Sequence, residues 1–215
     1  MLMSVDAIRR IAVASAFVFV ILLFAFVSCD KKDGSRNGGS ASAAAQSHND
    51  DVASTEARIA IVYFSATGNT RKAAGNLAVA LGARIFEILP SKAYSDADLD
   101  YNNPTSRFSI EYKDRNARPG ISNDLSEILG SDIIVLGYPI WGDRAPKIIR
   151  SLLDEYDLWS KRIYLFCTSG SSLIKNSMEE LRSEYPGLDI VEGIRLDPND
   201  EKAAEGWAKN IRKTR

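Results

Sequence analysis

The chain has 215 residues, with 27 basic and 28 acidic side chains and a net charge of −1. That balance argues against a nucleic-acid binder, which carries a basic patch or stripe. A single histidine, His48, and two cysteines, Cys29 and Cys167, exclude histidine-based catalytic triads, a disulfide framework and Cys/His-rich metal sites.

The first element is apolar. Arg9-Arg10 precede an uncharged run from Ile11 to Val27, 17 residues long, which ends at Ser28-Cys29-Asp30. A basic flank, an apolar core and a small residue before the break form the pattern of a secretory signal. Phe26-Val27-Ser28-Cys29 resembles a bacterial lipoprotein lipobox, with Phe26 where leucine is usual. The resemblance implies that residues 1–28 are an address and that Cys29 takes a lipid and becomes the mature N-terminus. The alternative is an uncleaved anchor helix. Either way the positive flank stays inside and the body of the chain lies on the extracytoplasmic side of the membrane. Residues 29–57 continue as Gly, Ser, Ala, Asn and Asp with almost no large apolar side chain. They read as a flexible tether spanning about 30 Å, with His48 as a solvated linker residue.

From residue 58 the pattern turns regular. Ile59–Phe64 is a continuous apolar run suited to a strand buried on both faces. Ala74, Leu77, Ala78 and Leu81 stripe a helix over 70–81. Arg84–Leu89 reads as a second strand, ended by Pro90. Residues 91–120 are polar, contain Asn102-Asn103-Pro104 and Arg118-Pro119-Gly120, and show no sustained period. They read as a long functional excursion, whose Tyr94, Tyr101, Phe108 and Tyr112 are placed to cover a ligand or partner surface. A short helix around 124–129 leads to a third strand at 132–137. Pro146 suits a first helical position, followed by a stripe of Ile149, Leu152, Leu153 and Tyr156. A fourth strand at 162–167, a helix striped by Ile174, Met178, Leu181 and Tyr185, a fifth strand at 189–194 and a last helix striped by Ala204, Trp207, Ala208 and Ile211 complete the chain. Strands alternating with helices predict an α/β doubly wound three-layer sandwich around a five-stranded parallel sheet.

Ligands of such sheets sit beyond the carboxyl ends of the strands, so the loops after the first, third and fourth strands carry the chemistry. Ser65-Ala66-Thr67-Gly68-Asn69-Thr70 sets hydroxyls and a glycine at a helix N-terminus, where free N–H groups and the helix dipole favour an anion. It matches neither G-x-x-x-x-G-K-[ST] nor G-x-G-x-x-G, so nucleoside triphosphates and NAD are poorly supported as ligands of this loop. Tyr63 to Thr70 resembles the FMN phosphate loop of the flavodoxin-like family. Gly137-Tyr138-Pro139-Ile140-Trp141 is similar to the second flavin loop of a subfamily reading Pro-Ile-Trp-Trp-Gly, and Phe166-Cys167-Thr168-Ser169-Gly170 is similar to the third. The likeness runs along 58–215 and implies strand order 2-1-3-4-5 with FMN as cofactor. It implies that Ser65, Thr67, Gly68, Asn69 and Thr70 hold the phosphate. Pro139, Ile140 and Trp141 would line the isoalloxazine, with Thr168, Ser169 and Gly170 bordering its other side or pyrimidine edge.

The chain departs from that pattern at Gly142 and Asp143, which stand where a second Trp and a Gly are usual, and in Ser171–Lys175. An Asp143 carboxylate close to a flavin would disfavour the anionic reduced form, and Lys175 would do the reverse. Cys167 reads as a buried core thiol, because Leu173 occupies the position of the arginine in a phosphatase loop. The resemblance implies two functions: a tethered electron-transfer protein serving a redox partner protein or small-molecule acceptor, or an NAD(P)H-dependent flavin or quinone reductase. A flavin-free binding module is the third reading. Residues 58–215 hold 22 basic and 22 acidic side chains, which weakens the picture of an acidic carrier steered to basic partners.

Overall fold

A computed structural model describes residues 57–213. The apolar run Ile11–Val27, Cys29 and the segment 29–56 lie outside the described residues. Among the described residues no helix is long and apolar enough to cross a membrane.

Five strands, β1 (Ile59–Tyr63), β2 (Arg84–Glu87), β3 (Ile133–Pro139), β4 (Arg162–Thr168) and β5 (Asp189–Arg195), form one sheet in the order β2-β1-β3-β4-β5. Every pairing is parallel. The expected architecture and strand order are therefore present. All five carboxyl ends fall on one edge, and the chain leaves β1 and β3 toward opposite sides, making the β1/β3 gap the topological switch point.

Side-chain alternation sorts the two cores. Ile61, Tyr63, Ile133, Val135, Tyr164 and Phe166 pack under α1 (Asn69–Leu81) and α5 (Glu201–Lys213). Val62, Phe64, Ile134, Leu136, Ile163 and Leu165 pack on the opposite face with α3 (Lys147–Glu155) and α4 (Lys175–Glu184). The period of two in each strand makes this division obligatory. The helical stripes agree: Ala74, Leu77 and Leu81, then Ile149, Leu152 and Leu153, then Ala204, Trp207, Ala208 and Ile211, are all buried. Trp207 docks the last helix, with its indole N–H donating to Glu192 Oε1 at 2.7 Å. Pro146 sits one position outside α3, as its N-cap.

The excursion differs from its reading as irregular chain. It contains a 3₁₀ turn at Ala97–Leu99 and a two-turn helix, α2 (Arg107–Lys113). Ser106 starts α2, its hydroxyl accepting from the Ser109 N–H at 3.1 Å. A second 3₁₀ turn, Ser126–Gly130, stands where a short helix was expected.

Candidate functional site

The loop after β1 turns into α1 at Gly68, which adopts φ 91° and closes the turn. A left-handed position favours glycine, and a side chain there would be strained. Lys72 is the first residue whose N–H reaches a helical acceptor, the Gly68 carbonyl at 3.0 Å. The N–H groups of Asn69, Thr70 and Arg71 come before it and are the orphan donors of the helix. No acidic residue lies in this first turn. The Ser65 hydroxyl accepts from the Gly68 N–H at 3.1 Å, which leaves its own proton to donate outward. Thr67 and Asn69 are exposed, and Ser65 is half-buried. Arg71 is held by Glu87, whose carboxylate also accepts from Tyr63. That ion pair raises the Arg71 pKa further.

The second loop follows β3 at the switch point. Pro139 ends the strand, half-buried, and Ile140 donates its N–H to the Thr168 carbonyl at 2.9 Å. Trp141 and Arg144 exchange backbone hydrogen bonds of 2.9 and 3.1 Å around Gly142 (φ 55°) and Asp143 (φ 68°). Two positive φ values mark a tight type I′ hairpin, which Gly and Asp accept. This turn accounts for the two departures from the Trp-Trp-Gly pattern. The Asp143 carboxylate turns to Asn176, which donates its amide N–H to it. Lys175 pairs with Glu179 at 3.9 Å.

The third loop is knitted to the first. The buried hydroxyls of Thr70 and Thr168 lie 2.8 Å apart in a hydrogen bond. Ser169 donates its hydroxyl to the Ser172 carbonyl, and Gly170 is exposed with open space around its Cα. Cys167 is fully buried, and burial pushes its thiol up to about 12, so it stays protonated and inert.

Between these loops and the excursion lies a cleft of about 710 Å³. Thr67 represents the first loop, and Ile140, Trp141 and Gly142 the second. Its far wall is built from the excursion: Leu99, Tyr101, Asn102 and Pro104 before α2, and Phe108 and Tyr112 on it. Ser65, Gly68, Asn69, Thr70, Pro139, Thr168, Ser169 and Gly170 do not line it. Trp141 stands edge-to-face with Tyr94 at 5.1 Å, Phe64 at 5.6 Å and Phe108 at 6.0 Å, while Phe108 stacks on Tyr112 at 5.7 Å. The volume lies within the range of cofactor pockets. A flat ring matches the aromatic walls, and an anion matches the helix N-terminus beside Thr67. The residues present therefore fit a flavin mononucleotide. Among the described residues no group of His, Cys, Asp and Glu side chains is arranged to hold a metal ion.

Several solved proteins share this fold. A solved candidate flavoprotein from Bacteroides eggerthii DSM 20697 is 42% identical, spans 73% of this chain and 98% of its own, and superposes with a TM-score of 0.70. One from Bacteroides uniformis ATCC 8492 is 37% identical over 71% of this chain and 98% of its own, with a TM-score of 0.69. A flavoprotein from Lactobacillus acidophilus NCFM, solved in complex with FMN, shares the fold at 21% identity over 71% of this chain and 99% of its own, with a TM-score of 0.56. Among curated proteins, none matches the chain significantly. The model of the flavodoxin family matches residues 58–211, the whole span from β1 into α5, and the chain belongs to that family.

Proposed function

We propose that this chain is an FMN-binding electron-transfer protein held outside the cytoplasmic membrane by its N-terminal segment. One observation carries the flavin reading: a hydroxyl-rich helix N-terminus and an aromatic-walled cleft meet at the β1/β3 switch point. The relatives described as candidate flavoproteins, and the fold neighbour in complex with FMN, support it. Ser65, Thr67, Asn69 and Thr70, with backbone N–H groups of the first turn of α1, would hold the phosphate through neutral donors. Trp141, Phe108 and Tyr112, which pack on one another, would form one aromatic wall against the ring, with Ile140 lining the same cleft. FMN, when bound, supplies the reversible redox chemistry; the protein binds it, shields it and presents it to a partner. Pro139, Thr168, Ser169 and Gly170 lie outside the cleft lining, and Thr168 is hydrogen-bonded to Thr70.

Titration with FMN and riboflavin tests the assignment. Thr67→Ala removes a hydroxyl that only the phosphate would meet, so FMN weakens about tenfold while riboflavin is unchanged. Equal FMN affinity in the variant contradicts the phosphate loop.

A second reading is an NAD(P)H-dependent flavin or quinone reductase. The open cleft favours it, because its walls continue outward to the exposed Tyr101. Anaerobic mixing with NADPH or NADH separates the two: prompt flavin bleaching marks a reductase, and a stable yellow colour marks a carrier. The tether is tested by mass spectrometry of the mature N-terminus, where acylated Cys29 is expected and an intact Met1 start would replace lipidation with an anchor helix.

A further inference from the structure

The outer wall of the cleft is a two-turn helix, too short to be stable alone in water. Something must hold it against Trp141, which Phe108 meets edge-to-face. Its residues divide by face. Phe108 and Tyr112, four apart, look into the cleft. Arg107 and Glu111, also four apart, form a half-buried ion pair at 2.6 Å, with side chains only 17% and 13% exposed. The Tyr94 hydroxyl donates to the same Glu111 carboxylate at 2.8 Å. Arg107 lies over the Tyr94 ring, 3.8 Å from its centroid, and donates to the Lys92 carbonyl at 2.6 Å. The Tyr94 ring in turn packs on Phe64 and Trp141. An unbroken chain of contacts therefore runs from the end of β1 through Tyr94 and Glu111 to the helix that carries Phe108 and Tyr112. Gly142 completes it, since a Cβ there would meet Tyr112 Cε2 at 2.6 Å.

We propose that Tyr94, Glu111 and Arg107 are positioning residues, a charged clamp that holds Phe108 and Tyr112 against Trp141 and so sets the aromatic wall that the flavin ring meets. This rests on the flavin reading above. The clamp acts on the ring and not on the phosphate. Glu111 accepts from both Arg107 and Tyr94, so its loss removes both charged hydrogen bonds and leaves the Arg107–Tyr94 ring contact and the Lys92 carbonyl bond to hold α2. Burial around the Tyr94 hydroxyl and the adjoining Glu111 charge push the tyrosine pKa upward, so the hydroxyl remains the donor across the physiological range.

The test uses the full chain freed of bound flavin, with FMN and riboflavin as probes. In Glu111→Ala both flavins weaken by the same factor, about tenfold, and quenching of flavin fluorescence at saturation falls. Glu111→Gln, which still accepts from Tyr94, recovers part of both. Hydrogen exchange in the free protein rises in α2 of Glu111→Ala while β1, β3 and β4 stay protected. Unchanged affinity for both flavins, or a loss confined to FMN, overturns the clamp. So does unchanged exchange in α2. If the wild-type chain binds neither flavin, the flavin reading has failed; the exchange measurement still reports, separately, whether Glu111 holds α2.

Discussion

A methyl group at position 142 would press on the Tyr112 ring and would also sit on a backbone with φ 55°. Gly142→Ala is therefore expected to cost about 1–3 kcal/mol in denaturant unfolding and to weaken flavin binding through displacement of Tyr112. An unchanged midpoint would show that Tyr112 yields freely. Lys147 makes a second residue-scale case. Its side chain is buried, lining a small recess with Phe108, Glu111, Tyr112, Trp141 and Arg144. Burial, then Arg150, lowers its pKa, with Arg144 acting the same way and Glu180 and Glu184 opposing. A lysine depressed in the folded state destabilises folding at every pH below that depressed value. The penalty fades as pH climbs toward the ordinary lysine value. Lys147→Met is thus expected to raise the melting temperature at pH 7 and to lose that advantage in alkaline buffer. A gain that grows with pH would contradict the sign.

At the scale of elements, the strands and four of the five helices were legible because each announces itself by period. β1 and β3 are uninterrupted apolar runs, and α5 repeats Ala204, Trp207, Ala208 and Ile211 on one face. α2 was hidden by its brevity. In seven residues its apolar side chains point two ways, with Phe108 and Tyr112 into the cleft and Ile110 out to solvent. Two signals were nonetheless present: Ser106 as an N-cap and the i,i+4 pairs Arg107/Glu111 and Phe108/Tyr112. The aromatic residues of the excursion were legible as a cover; the buried clamp beneath them was not, because it joins residues 17 apart. The second and third loops were found as motifs, but only geometry separates Trp141 in the cleft from Thr168 behind it. Helix docking is testable at this scale. Trp207→Ala should cost about 3–5 kcal/mol, because it empties the contact with Tyr164 in the core under α5. A loss below about 1 kcal/mol would mean that α5 is held elsewhere.

For the whole molecule, the strand order places three loops and one excursion around a single switch point, and the sheet makes their convergence unavoidable. The near-neutral charge of the domain supplies no net charge for long-range steering, which weakens the picture of an acidic carrier, so recognition of a redox partner would rest on local charge and on the contacts around the cleft mouth. Among the described residues there is no histidine and the one cysteine, Cys167, is buried, so the cleft would take its redox chemistry from a bound cofactor. Everything distinctive in this account depends on that cofactor being bound. The most direct measurement is the visible absorption spectrum of the purified full chain, before and after adding FMN and removing the excess. A yellow protein is expected, with a flavin spectrum perturbed by the aromatic wall and one FMN released per chain on denaturation. A colourless protein that retains no added FMN would contradict it.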